Sequence, residues 1–243
     1  MKGLLLWGSA LMACLQFGRA GEVDDYINYQ FLDLTKAELA GGNNKAAAAI
    51  KTWADREAKS KEFYTVTNKS DFGNGITKNH FASFPPYFWP SCDKPMAEAV
   101  KSCSFKRQDG KRNEKLTNLS DSPNQVNGIC KDVTQLAVAA YLYEEKAYAD
   151  RAFDLLDKFF INEATRMLPN LDYGQMEPGQ GGGKGRPYGL IQTRCFVSMV
   201  SAIPLLRNVT TEHKDTYKQV QAWFSEFSNW FTTSEIGKKE IAG

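Results

Sequence analysis

Residues 123–160 read PNQVNGICKDVTQLAVAAYLYEEKAYADRAFDLLDKFF. Val126, Ile129, Val133, Leu136, Ala137 and Ala140 fall at intervals that place them on one face of an α-helix. After the polar break Glu144-Glu145-Lys146, the residues Tyr148, Ala152, Phe153, Leu155, Leu156 and Phe159 resume the same period. Two amphipathic helices joined by so short a break form a helical hairpin.

The pattern extends in both directions. Upstream, Leu32 to Ser60 is helical, and Asn43 or Asn44 is placed to cap a helix through the alanine run that starts at Lys45. Downstream, helices are predicted over about Thr193 to Leu206 and about Lys214 to Phe231. Tyr217, Val220, Trp223, Phe224, Phe227 and Trp230 make the core-facing stripe of the last one. Strand signals are few and no repeat is visible. Helical hairpins in series commonly curl into α/α toroids or solenoids. Residues 61–124 and 162–192 carry no sustained period and are rich in Gly, Pro and Asn. Long loops of this kind are where binding and catalytic residues concentrate.

The chain has 243 residues, 42% of them hydrophobic and 24% charged, and a mean hydropathy of −0.44. Such a chain buries roughly 70% of its unfolded surface and needs no metal merely to fold. No stretch approaches the roughly 20 apolar residues that span a bilayer. Lys2, the apolar run Leu4 to Leu15 and the small residues around Gly18-Arg19-Ala20 read as a secretory signal peptide over residues 1–20. That leaves one domain, residues 21–243, secreted and extracellular. Without Lys2 and Arg19 the 30 basic residues become 28, equal to the 28 acidic ones. A balanced chain lacks the basic excess of a nucleic-acid-binding protein.

Cys92, Cys103, Cys130 and Cys195 remain after the signal, an even number in an oxidising compartment. Three connectivities are open, and Cys92–Cys103 with Cys130–Cys195 is the favoured one. The chain-entropy model gives the first loop about 3 kcal/mol and the second about 4 kcal/mol. Zinc is disfavoured, since no CxxC pair exists and only His80 and His213 are present. Asn68, Asn118 and Asn208 each open an N-glycosylation sequon.

Three clusters carry candidate chemistry. His80 to Pro90 is an aromatic loop braced by Pro85, Pro86 and Pro90, and its Tyr87 and Trp89 suit stacking on flat ligand faces. Lys101 to Lys115 has six basic residues against Asp109 and Glu114, which reads as a solvated loop or as a steering surface for a polyanion. Arg166 to Gln175 gathers Arg166, Asn170, Tyr173 and Gln175, donors for carboxylates and hydroxyls. Neither HExxH nor GxSxG is present, and the glycine run near Gly181 lacks the phosphate-binding-loop pattern. His213 reads as a surface residue, and His80 is the better functional candidate.

In order, these clusters resemble the alginate lyase superfamily of polysaccharide lyases. Phe81-Ala82-Ser83 with Pro86-Tyr87-Phe88-Trp89-Pro90 is similar to Y-x-S-x-x-P-Y-F-W-P. Arg107-Gln108-Asp109-Gly110 with Asn113 is similar to R-R-D-G-x-x-N, and Thr165 to Gln175 to T-R-M-N-P-N-L-x-Y-x-Q. Arg186 to Ile191 resembles G-R-G-I-G-I-I, and Trp223 to Gly237 resembles W-x-x-x-Y-x-x-W-x-x-x-S-x-x-G.

The resemblance implies an all-α fold: an α/α toroid, here an incomplete barrel of antiparallel helical hairpins with long irregular loops. It implies β-elimination on uronic-acid polymers, alginate or a related glucuronan, with no metal or organic cofactor. Donors neutralise the C5 carboxylate, a His or Tyr removes the adjacent proton, and a Tyr protonates the leaving oxygen. Family members continue past S-E-I-G into an Asn-Asn-His segment that supplies the base. This sequence stops at Gly243, so that segment is expected beyond it and the catalytic site is expected to be incomplete, with Tyr173 the weak candidate within the chain. Asn79-His80-Phe81 stands where relatives often have H-D-Y, and Gln108 replaces an Arg. The substrate-binding residues expected here are Tyr87, Trp89, Arg166, Asn170, Tyr173, Gln175, Lys78 and Arg107, acting on an acidic polysaccharide. The alternative is a non-catalytic secreted protein that binds acidic polysaccharide on the same scaffold.

Overall fold

The computed structural model describes residues 29–40, 44–69, 72, 75–179 and 183–242. The signal peptide, Asn43 as a cap and Gly181-Gly182 lie outside the described residues. In chain order the elements are α1 (Tyr29–Ala40), α2 (Lys45–Glu57), β1 (Phe88–Pro90), α3 (Met96–Ser102), β2 (Phe105–Arg107) and α4 (Glu114–Thr117). There follow α5 (Ser122–Tyr143), α6 (Lys146–Leu156), a π-helical turn (Asp157–Ile161) and a 3-10 helix (Pro187–Thr193). The chain then forms α7 (Phe196–Arg207), α8 (Lys214–Thr233) and α9 (Glu235–Ala242). The expected all-α class holds, with only two three-residue strands among the described residues. These elements divide into two compact units.

The first unit takes the described residues up to Tyr64, with Gly128–Ile161 and Cys195–Ser228. The helical period predicted for its core is obeyed. Ile129, Val133, Leu136, Ala137 and Ala140 of α5 are fully buried, as are Ala152, Leu155 and Leu156 of α6. α5 and α6 join through Glu144 and Glu145, where Glu144 takes a φ of 52°. Aromatic rings fill the centre. Phe160 lies 4.6 Å from Trp223 and 5.3 Å from Phe224, and Trp223 stacks on Phe227 at 5.4 Å. Edge-to-face and offset pairs of this kind add about 1 kcal/mol each beyond area burial. Asn44 caps α2, its Oδ1 accepting from the Ala47 amide at 3.0 Å.

Buried charge in this unit is paired. Arg151 is 6% exposed, and its guanidinium meets Glu57 at 2.8 Å and Asp154 at 2.9 Å and donates to the Glu62 carbonyl. Tyr64 donates to Asp132 at 2.5 Å, and burial, with that bond, pushes its phenol well above the ordinary range. A Cβ on Gly128 would stand 2.2 Å from the Tyr64 ring, which explains glycine inside α5. His213, expected at the surface, is half-buried instead. Its ring stacks on Phe153 at 4.6 Å and its Nε2 meets Asp150 at 2.9 Å. A ring one residue before a helix finds a stacking partner that helix periodicity does not reveal.

The second unit takes residues 65–127, 162–194 and 229–243. The loop region 61–124, predicted irregular, holds β1 and β2 paired antiparallel, with Trp89 opposite Lys106, and the short helices α3 and α4. Phe72, Ala82, Phe84, Val100, Leu116 and Met176 form its core. Asn113 is buried. Its Oδ1 accepts from the Leu116 amide at 3.2 Å to cap α4, and its Nδ2 donates to the Phe88 carbonyl at 2.8 Å. A single asparagine thus ties helix to hairpin. α9, not predicted, follows α8 after Ser234, whose Oγ accepts from the Gly237 amide at 3.0 Å. A Cβ at Gly237 would lie 1.8 Å from the Phe231 carbonyl oxygen.

Among the described residues one helical run, Pro187–Arg207, is long and apolar enough to cross a membrane by length and composition alone. Half of its most apolar window is buried within the protein, and Pro204 lies inside α7.

Both predicted disulfides are present: Cys92–Cys103 with Cα atoms 6.1 Å apart, and Cys130–Cys195 with Cα atoms 5.8 Å apart. Their loops span 11 and 65 residues. Loop-closure entropy ranks them, at about 3 and about 4 kcal/mol. The Cys130→Ser/Cys195→Ser variant is therefore expected to lower the denaturation midpoint more than Cys92→Ser/Cys103→Ser; urea titrations of both check the order.

Candidate functional site

Ser83 organises the polar part of the second unit. It is 2% exposed, and residues 173–176 wrap around it. Its amide donates to the Tyr173 carbonyl at 3.1 Å and its carbonyl accepts from the Met176 amide at 2.9 Å. Its hydroxyl accepts from the Gln175 amide at 2.8 Å and donates to Gln192 Oε1 at 2.5 Å. Gln175 is held in left-handed backbone, φ 52°. Its Oε1 accepts from Arg186 Nη2 at 3.0 Å. Beneath, Ser120 donates to the Ala82 carbonyl at 2.6 Å and to Ser122 at 3.1 Å. Every hydroxyl in this buried row has a named partner, as low-dielectric surroundings require.

A cleft of about 320 Å³ opens over this row. It is lined by the amides of Asn118, Asn124, Asn127, Gln175 and Gln192 and the hydroxyls of Ser83, Thr117 and Ser120. Arg112 and Arg194 complete its polar wall, both exposed, with no acidic residue in the lining. Neither arginine is in an ion pair among the described residues. Two cations and five amides facing one opening suit a ligand that carries carboxylates and hydroxyls.

Of the predicted site residues, Gln175 lines this cleft. Tyr87 is exposed and precedes β1, while Trp89 is half-buried, its indole N–H donating to the Lys111 carbonyl at 2.9 Å. Arg107 is exposed and pairs with Asp109 at 2.6 Å. Lys78 is exposed, and its carbonyl accepts from Lys69 Nζ. Arg166 is half-buried, and its carbonyl accepts from Asn79 Nδ2 at 2.7 Å. Asn170 turns the chain locally, its Oδ1 accepting from the Asp172 amide at 3.3 Å. Tyr173 packs its ring edge-to-face with His80 at 4.9 Å. Sequence reasoning missed Arg112, Arg194 and Gln192 as a group. Arg112 belongs to the basic run Lys101 to Lys115, which was a signal; Arg194 and Gln192 carried none.

Asn68, Asn118 and Asn208 are all exposed, and Asn118 lines the cleft. Among the described residues no group of three His, Cys, Asp or Glu side chains is placed to hold a metal ion.

His80 is more constrained than its sequence position suggested. Its Nδ1 accepts from the Thr77 amide at 3.0 Å, which leaves the proton on Nε2 of the neutral ring. Burial holds its pKa below the ordinary 6.5, with Asp172 opposing the shift and Lys69 adding to it. Lys69 is itself pushed down by burial, to about 8. Nearby, the Trp230 indole donates to Asp172 at 2.9 Å.

The chain matches the alginate lyase family over residues 43–242. It is similar to the crystal structure of an alginate lyase from Bacteroides ovatus, with a TM-score of 0.76 and 29% identity. That likeness covers 90% of this chain and 56% of the other, so the chain spans little more than half the length of that enzyme. It gives the chain the α/α toroid fold class of such enzymes. No curated protein matches the chain.

With a folded pKa lowered below 6.5, His80 binds fewer protons folded than unfolded just under that pH, so its contribution is present above 6.5 and lost as pH falls. Wild-type stability is expected to drop more steeply than that of His80→Gln between about pH 7 and about pH 5; thermal melts across the window check it.

Proposed function

The chain belongs to the alginate lyase family, and from that premise we propose that the cleft of its second unit binds a uronic-acid polymer, alginate or a related glucuronan, for cleavage by β-elimination. The observation that carries the reading is the cleft wall itself: Arg112 and Arg194 with five amides and no carboxylate. Cations at the opening neutralise uronate carboxylates, and the amides and hydroxyls pair with ring hydroxyls. In β-elimination the C5 proton becomes acidic only when the attached carboxylate is neutralised. Guanidinium groups facing the substrate meet that need. Tyr173 is the candidate phenol for proton transfer within the same unit.

Secretion belongs to the same reading. Two disulfides support an oxidising compartment, and the exposed Asn68 and Asn208, outside the cleft lining, suit glycosylation there.

The test pairs binding with turnover. Alginate, polymannuronate, polyguluronate and glucuronan are each offered to the protein, and the ultraviolet absorbance of unsaturated uronate is followed alongside affinity. Arg112→Ala and Arg194→Ala are each expected to weaken binding about fivefold, the effect of losing about 1 kcal/mol from an exposed ion pair. Unchanged binding in both variants contradicts the cleft assignment, and no binding to any of the four polymers contradicts the functional reading.

A further inference from the structure

Two residues of the 3-10 helix Pro187–Thr193, Ile191 and Gln192, line the cleft. Ile191 lines the cleft and is 58% exposed. Residues three apart eclipse one another in a 3-10 helix, so Tyr188 stands in line with Ile191. Tyr188 is 66% exposed, the highest value among the exposed large apolar side chains.

This ring is exposed but held. The Arg186 guanidinium lies 5.7 Å from its centroid and 5.6 Å from that of Phe88. Arg186 is fixed in turn by Gln175, through the carbonyl at 3.2 Å and Oε1 at 3.0 Å, and by Glu177 at 3.6 Å. Gln175 Nε2 donates back to the Tyr188 carbonyl at 3.4 Å. The next residue, Gly189, is pressed against the neighbouring chain, where a Cβ would lie 2.7 Å from the Gly174 carbonyl oxygen. Backbone and ring are thus both positioned before any ligand arrives, and the conformational cost of using the ring is low.

We propose that Tyr188 is a stacking platform at the rim of the cleft, taking the apolar face of one pyranose ring and extending the site by one sugar. The inference rests on the polyuronate reading above. An aromatic face carries the negative part of the ring quadrupole, and the axial C–H groups of a pyranose present a weakly positive, apolar surface to it. The arginines of the cleft then read the carboxylates, while Tyr188 reads the sugar ring itself.

The test is calorimetric titration of the full chain with saturated uronate oligomers of increasing length, comparing wild type, Tyr188→Phe and Tyr188→Ala. Tyr188→Phe is expected to bind as wild type, and Tyr188→Ala about fivefold more weakly, only for oligomers long enough to reach the rim. Thermal melts confirm that these exposed-site variants fold. Wild-type binding that Tyr188→Ala leaves intact at every length overturns the platform alone, and equal loss in Phe and Ala variants assigns the effect to the hydroxyl and overturns it too. Failure of wild type to bind any oligomer overturns the polyuronate reading together with the platform. A dimer in sedimentation that Tyr188→Ala dissociates makes the ring a contact between copies and overturns it as well.

Discussion

The left-handed backbone at Gln175 is the constraint on which the polar wall of the second unit depends. A non-glycine residue at positive φ costs roughly 1 kcal/mol. Here the turn aims the amide at Ser83 Oγ and the side chain at Arg186. Ser83 then orients Gln192, and Arg186 braces the rings of Phe88 and Tyr188. One residue at positive φ therefore sets an amide of the cleft lining and, through Arg186, the surroundings of the Phe88 and Tyr188 rings. Two charge-assisted or buried hydrogen bonds, each net about 1 kcal/mol or more, offset the strain.

The first unit is built on another principle. Its helices bury alanine-rich and aromatic faces, and the deeply buried cation Arg151 meets two carboxylates and a carbonyl. Removing a partner from such a cation is far more damaging than the pair is stabilising. The Cys130–Cys195 bond then fixes α5 to the start of α7 within that unit. Apolar packing and paired charges make this unit a scaffold, while the second unit places amides and arginines around an open cleft.

Legibility followed the same division. The helices of the first unit were readable because a 3.6-residue period over ten or more residues is hard to mistake, and α5, α6 and α8 fall within a few residues of expectation. Short elements were not readable: α3, α4, the two strands and α9 are too brief to show a period. Both favoured cysteine pairs are present, although the sequence alone leaves three connectivities open. In the second unit, the polar cluster Arg166 to Gln175 contains Gln175 but none of the side chains it works with. Ser83, Gln192 and Arg186 are separated from it by 92, 17 and 11 positions, and convergence over such distances leaves no local pattern. Asn113 shows the reverse case: it was noticed within a motif, yet its work is to cap α4 and strap β1.

Arg112, Arg194 and five amides line one opening, and Ser83 and Gln175, which line it too, are fixed by hydrogen bonds within the second unit. The most direct test of this account is a crystal structure of the protein with a bound uronate oligomer. The account predicts sugar density in the cleft, with carboxylates within hydrogen-bond reach of Arg112 and Arg194. Density confined to another surface of the molecule would contradict it.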